Sequence, residues 1–418
     1  MSTVLDPIAQ EGIHRIEWAR RHMGVMEAIR AEFEKDKPFS GIKVGMALHV
    51  EAKTAALALA IQAGGAEVRL ASCNPDSTDD RVAAALNLHY GLETFAKKGE
   101  TTEEYYRNLN NVLDLGPDYV IDDGCDLVFL AHQDRKDALP NIKGGCEETT
   151  TGIVRLKAMS ADGALTFPMM DVNDAKMKHL FDNRYGTGQS TFDGLMHATN
   201  LLIAGKNVVV AGYGWCGRGI AMRANGLGAN VIVTEVDPVK AIEARLDGYQ
   251  VMPMEEAVSI ADFVLTATGM TKILDARQIP RLKDGAVLAN AGHFDNEIWK
   301  PDLEAAATKV EPVREGVTGY TLKDGRTVYL VASGRLVNLA SGQGHPVEIM
   351  DMSFAIQALS LRWLVEKGGK ASVEAGVITV PDEIDERVAR IKLQTLGITI
   401  DSLSAEQVSY GSEWRHGT

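Results

Sequence analysis

The stretch Val208-Val209-Val210-Ala211-Gly212-Tyr213-Gly214-Trp215-Cys216-Gly217 constrains this chain most. A run of β-branched residues bounded by a glycine turn reads as a strand buried on both faces, as in parallel sheets covered by helices. Gly212 then permits a tight turn, Gly214 lets the backbone approach a pyrophosphate, and Gly217 allows close helix packing. The opening helix, with Trp215, Cys216, Arg218 and Gly219 in its first turns, presents unpaired N–H groups to phosphate. Glu235 follows the next apolar strand, about 20 residues on, where a carboxylate takes both ribose hydroxyls and repels a 2′-phosphate. NAD is therefore expected, rather than NADP.

Strand and helix signals alternate on both sides of this motif. A helical period spans residues 8–33. Residues 42–48 and 66–71 read as strands around a helix from 51 to 63, a βαβ unit. Tyr119-Val120-Ile121 ends at Asp122-Asp123-Gly124, the strand-to-loop boundary where α/β folds keep working residues. A second series begins near Gly205, with strands at 207–210, 231–234, 263–266 and 286–289. Near Pro346 the pattern changes to a long amphipathic helix through Val365, then to residues 381–396 and a polar tail. The expected fold is α/β with two doubly wound, Rossmann-like domains. A substrate domain of residues 1–184, completed by 345–390, adjoins an NAD domain of 185–344, and 391–418 form a C-terminal tail.

The totals narrow the function. A chain of 418 residues with 45% hydrophobic and 24% charged residues suits a soluble, multidomain protein. Its formal charge of −14 argues against nucleic acid or an anionic membrane as partner, since either needs a basic face. No segment approaches the roughly 18 consecutive apolar residues of a membrane span, and no secretory signal is evident. The four cysteines are scattered without a CxxC pair, unlike a disulfide framework or zinc site. The expectation is a cytoplasmic protein without a metal.

Just ahead of the fingerprint lie Asn173, Asp174, Lys178, Asp182 and Asn183. A lysine, carboxylates and amides beside a nicotinamide pocket suit redox chemistry on a hydroxyl. In order with them stand Glu147-Glu148-Thr149-Thr150-Thr151-Gly152, Asn290-Ala291-Gly292-His293-Phe294, Asn338-Leu339 and Gly344-His345-Pro346. This set resembles the S-adenosyl-L-homocysteine hydrolase family from about Gly41 to Phe354, and Tyr185 to Ser190 resemble its archaeal and thermophile branch.

The resemblance implies a mechanism that borrows oxidation to break a thioether. NAD⁺ oxidises the ribose 3′-hydroxyl, the ketone acidifies the 4′ C–H, homocysteine leaves, water adds at the 5′ carbon, and the alcohol is restored. It implies Lys178 as base at the 3′-hydroxyl, with a depressed pKa helped by the nicotinamide charge. Asp182 and Glu148 would hold the ribose diol, Asp123 would take the 4′ proton, and His49 and His293 would serve sulfur and water. Substrate contacts are expected from Glu51, Lys53, Thr54, Asn173 and His345. Cofactor contacts are expected from Thr149, Thr150, Thr151, Asn183, Lys240, Thr268, Gly269, Ala291, Gly292, His293 and Asn338 besides the fingerprint. The implied assembly is a homotetramer acting on a small nucleoside thioether.

The chain departs from the family pattern beside the purine base. Adenosine-handling relatives typically carry threonine at the position of Glu51 and glutamine at that of Lys53. Lysine only donates and a carboxylate only accepts. Lys53 to O6 and Glu51 to N1–H would match hypoxanthine, so the S-inosyl thioether is the expected substrate. A strictly adenosine-specific hydrolase and a plain NAD-dependent dehydrogenase stay open as alternatives. Thr187 replaces a common cysteine, Lys240 replaces an asparagine at the cofactor's ribose, and the tail lacks the family's terminal lysine and tyrosine. Looser NAD binding is expected. Asp79, where glutamine is usual, has no evident reason in the sequence.

Overall fold

The apolar runs become two sheets in a computed structural model that describes residues 6–414. The first sheet contains β1 (Lys43–Ala47), β2 (Glu67–Ala71), β3 (Glu93–Phe95), β4 (Tyr119–Asp122), β5 (Gly144–Glu147) and β6 (Pro168–Asp171). The second contains β7 (Asn207–Ala211), β8 (Asn230–Thr234), β9 (Gln250–Val251), β10 (Phe263–Thr266), β11 (Val287–Asn290), β12 (Ala307–Arg314), β13 (Val317–Leu322) and β14 (Thr327–Val331). The chain then returns, and β15 (Gly376–Thr379) pairs in parallel with β6.

The strand orders place the site. The first sheet runs β15-β6-β5-β4-β1-β2-β3, so the chain reverses direction between β1 and β4. The second runs β12-β13-β14-β11-β10-β7-β8-β9 and reverses between β7 and β10. Open parallel sheets bind ligands in the crevice at such switch points, beyond the carboxyl ends of the strands. His49 follows β1, Asp123 follows β4, Gly212 follows β7 and Thr268 follows β10. Both crevices thus open where the sequence carries its polar motifs.

Three features differ from the sequence expectation. The helical period of residues 8–33 is two helices, Pro7–His22 and Gly24–Asp36, broken at Met23, whose φ of −109° and ψ of 64° are not helical. The buried Asp351 carboxylate accepts from the N–H groups of Val25 at 3.2 Å and Met26 at 2.9 Å, capping the second helix. Second, β12 to β14 form an antiparallel edge on an otherwise parallel sheet. Third, the helix Val347–Lys367 is not simply amphipathic, since its buried set includes Asp351, Ser353, Gln357 and Ser360 among the apolar residues. Two of those polar groups reach the site. No helix among the described residues is long and apolar enough to cross a membrane. In the tail, the helix Ala405–Ser412 buries none of its residues, and residues 415–418 lie outside the described range.

Candidate active site

Lys178 sits at the centre of a buried polar cluster. It opens onto a π-helix, His179–Gly186, whose wider turn brings residue i+5 over residue i. Lys178 Nζ accordingly donates to Asn183 Oδ1 at 2.8 Å. Asn173 Oδ1 accepts from Lys178 at 3.4 Å and from Asn183 Nδ2 at 3.0 Å. The Lys178 ammonium also lies 3.4 Å from Asp182 and 3.7 Å from Glu148. The helix Val347–Lys367 supports this cluster from behind. Ser353 donates to Asp182 Oδ2 at 2.8 Å, and Gln357 donates to Glu148 Oε2 at 2.6 Å. His345 pairs with the other Asp182 oxygen.

Burial alone would lower the lysine and raise the carboxylates; proximity decides otherwise. Burial disfavours the Lys178 cation, but Asp182, Glu148 and Asp123 outweigh it and hold the ammonium above its usual range. Asp182, although buried, is held well below the usual carboxylate range by Lys178 and His345. Burial lifts Glu148 to about 8, against the pull of Lys178. The protein's own carboxylates thus favour the charged form of Lys178, and a depressed pKa would have to come from the nicotinamide charge. Beside it, Glu148 carries a buried Oε1 that has no hydrogen-bond partner.

A second cluster faces it across the crevice. Asp123 Oδ2 lies 3.4 Å from His49 Nε2, and Asp123 Oδ1 lies 3.8 Å from His293 Nδ1. His49 Nδ1 meets Ser77 Oγ at 2.7 Å and Cys73 Sγ at 3.3 Å. Burial drops His49 to about 4 despite Asp123, so its ring is neutral at pH 7. Gly124 has φ of +102°, and a Cβ there would stand 2.7 Å from His293 Nε2. Only glycine permits both the turn and the approach of His293. Beneath the turn, Asp122 accepts from the Asp123 N–H at 3.0 Å and Glu147 accepts from the Gly124 N–H at 2.8 Å.

These clusters line one cavity of about 480 Å³, within the range of small-molecule sites. It brings together His49, Glu51, Asp123, Glu148, Thr149, Thr150, Thr151, Asn173, Lys178, Asp182, Asn183, Gly214, Trp215, Cys216, Lys240, Thr268, Gly269, Ala291, Gly292, His293, Asn338 and His345. The fingerprint takes its expected form, with Gly212 at φ +94°, open space where a Gly214 Cβ would lie, and Gly217 against Gly212 O. Glu235 Oε2 accepts from the Tyr213 N–H at 2.7 Å, which places its carboxylate beside the turn. Asn338 is buried and its Oδ1 has no partner, as a carboxamide-binding amide would be. The residues present fit a bound dinucleotide.

Four expected contacts are reassigned by the geometry. Thr54 donates to the carbonyl of His49, so it fixes the loop after β1 rather than facing the cavity. Arg218 pairs with Glu243 and lies 4.5 Å over the Trp215 ring. A Cβ on Gly219 would meet Arg184 O at 1.8 Å, so this glycine lets the fingerprint helix abut the π-helix. Lys53 Nζ lies 2.8 Å from Glu51 Oε2, Gln343 O and His345 O, which uses all three ammonium protons. It has none left for O6 of a base. The structure also explains Asp79, which caps the helix Asp80–Leu88 and pairs with Arg15 and Arg81.

Sequence reasoning missed Ser77, Cys73, Ser353 and Gln357. A signal existed for the last two: polar residues four apart on a helix otherwise apolar at its centre share one buried face.

Fold and site define a dinucleotide-dependent enzyme built from two α/β units. The family model for the NAD-binding domain of S-adenosyl-L-homocysteine hydrolase matches residues 183–344, and the model for S-adenosyl-L-homocysteine hydrolase matches 6–140. The chain is 57% identical over 409 residues to the S-inosyl-L-homocysteine hydrolase of Methanocaldococcus jannaschii, covering 98% of both chains. It is 56% identical over 411 residues to the adenosylhomocysteinase of Pyrococcus abyssi, covering 98% of this chain and 97% of that one. It is 57% identical over 408 residues to the adenosylhomocysteinase of Thermoplasma volcanium, covering 98% and 99%. The chain belongs to the S-adenosyl-L-homocysteine hydrolase family. Near-equal identity to relatives named for two different bases leaves the base to the site.

Proposed function

We propose that this enzyme reversibly hydrolyses the thioether of a purine nucleosyl-L-homocysteine, releasing nucleoside and L-homocysteine, with the inosyl compound preferred. The observation that carries it is Lys178 buried between Glu148 and Asp182 beside a dinucleotide turn. NAD⁺, when bound, supplies temporary oxidation at the ribose 3′-carbon. The Gly212–Gly214 turn would hold its pyrophosphate, Glu235 its ribose diol, and Asn338, Asn183 and Thr149 to Thr151 its nicotinamide end.

The chain's own residues handle protons. Asp182 and Glu148 orient the substrate diol. Lys178 takes the 3′-hydroxyl proton once its amine is neutral, a form that the positive charge of a bound nicotinamide would favour. Asp123 removes the 4′ proton. His293 protonates the departing sulfur, and the neutral His49 receives the proton of the incoming water.

Glu51 supports the base preference. It stands at the start of the helix Ala52–Ala63 without a capping bond, and it lines the cavity while Lys53 anchors its other oxygen. An ionised Glu51 accepts from the N1–H of a 6-oxo purine and has nothing to accept from adenine N1. Lys53 acts through Glu51 as a positioning residue. The same reading includes a cytoplasmic homotetramer whose NAD exchanges readily, checked by light scattering and by NAD retained after dialysis.

Incubating the purified protein with NAD⁺ and each thioether, then identifying products by mass, tests the reading. Nucleoside and homocysteine should form without net NADH. Stoichiometric NADH accumulation would assign a plain dehydrogenase, and a clear adenosyl preference would overturn the base assignment.

A further inference from the structure

One ion pair of fixed charges crosses the crevice among the described residues: Asp76, from the loop after β2, with Arg335, from the loop after β14. Other Lys or Arg pairs with carboxylates stay within one unit. The position is telling. Ser77, the next residue after Asp76, holds His49 through its hydroxyl at 2.7 Å. Leu336, the next after Arg335, lines the catalytic cavity and bridges to Asn290. Both charges are anchored through the backbone. The Asp76 N–H donates to Asn74 Oδ1 at 3.0 Å, and the Arg335 N–H donates to Ala332 O at 2.9 Å.

The pair is half-exposed, with side chains 39% and 33% accessible for Arg335 and Asp76. Surface pairs of this kind contribute little to stability, so their partners exchange at small cost. The proposed substrate is neutral on its nucleoside half. Its only charges are the α-ammonium and α-carboxylate of homocysteine, a short methylene chain away from the sulfur that His49 and His293 serve.

Resting on the function proposed above, we infer that Asp76 and Arg335 form the α-amino-acid subsite. Asp76 takes the α-ammonium and Arg335 takes the α-carboxylate, replacing their mutual pair. Guanidinium and carboxylate match these two groups in charge and in hydrogen-bonding fork. The ligand class is a zwitterionic L-α-amino acid bearing a thiol or thioether. Bridging both halves of the crevice through the substrate would also close it over the reacting carbon.

The test uses the synthetic direction with holoenzyme, nucleoside and homocysteine. Asp76→Asn and Arg335→Met should each raise KM for L-homocysteine about 10-fold or more, the loss of a charge-assisted hydrogen bond. Reduction of the cofactor by nucleoside alone should stay unchanged, because that half-reaction precedes homocysteine. The exchange variant Asp76→Arg/Arg335→Asp discriminates further. A simple interdomain latch is restored by the exchange. A subsite is not, because the reversed charges oppose the L configuration and suit D-homocysteine. Unchanged KM in both single variants, or rescue of L-homocysteine by the exchange, overturns the inference. Absence of cofactor reduction by nucleoside in the unaltered enzyme would instead overturn the hydrolase reading.

Discussion

Two lysines of this chain are equally buried, yet their surroundings differ. Lys178 lines the cavity, with Asp182 at 3.4 Å, Glu148 at 3.7 Å and amides filling its remaining contacts. Lys53 is surrounded by one carboxylate and two backbone carbonyls, each at 2.8 Å. Those three acceptors use all of its N–H groups, so Lys53 serves as an anchor. A buried lysine that faces a cavity is placed to meet a ligand, whereas one whose N–H groups are all taken by the protein holds the fold.

The largest effect should come from breaking the first environment. Lys178→Met should lower turnover about 10³-fold while the protein still binds NAD, read as protein-bound cofactor alongside the rate. A loss under 10-fold would transfer the base role elsewhere. Glu51→Gln tests the second environment, because an amide can satisfy adenine. It should shift the ratio of kcat/KM values toward the adenosyl thioether about 10–100-fold. Lys53→Gln should slow both thioethers about 10-fold and move their ratio less, as expected of an anchor; a ratio change larger than that of Glu51→Gln would make Lys53 the direct reader.

Smaller effects depend on pH. Burial raises Glu51 against the pull of Lys53, and only its ionised form accepts from N1–H, so inosyl preference should grow as pH rises through its ionisation. Flat preference from acid to alkaline pH would count against that role. Glu148 carries a folded-state pKa of about 8, above an unfolded value near 4.5. The folded state therefore binds the extra proton, and stability is lost as pH climbs from about 4.5 to about 8. His49, depressed to about 4, works in the opposite sense only until the unfolded histidine has titrated near pH 6.5. Above that, Glu148→Gln should flatten the fall of Tm with pH by a few degrees, measured by calorimetry with the apo and NAD-loaded forms compared.

Much of the fold was legible because its signals are local. Apolar strand runs and the Gly212 to Gly217 spacing state a buried strand, a turn and a helix without reference to anything distant. The edge strand β12 was not legible, since residues 307–314 are all exposed or intermediate and carry no buried period. The break at Met23 was equally hidden, because its cap is Asp351 from the far end of the chain.

The sequence by itself determined the residue types of the chemistry, the NAD fingerprint and the order of the motifs. Only the tertiary structure decided their duties. Lys53 and Glu51 are two residues apart, and composition alone could assign both to a purine. It is the return of residues 343–345 over the helix start that supplies two carbonyls, and so removes Lys53 from the base. The protonation state of Lys178 was likewise undetermined by its neighbours in sequence. Asp182 lies one helical turn away, but Glu148 comes from the end of β5, and their combined field favours the charged ammonium against burial. Hydrogen-bond capacity and electrostatic field depend on every group within a few ångströms, and that set is assembled by folding rather than written along the chain.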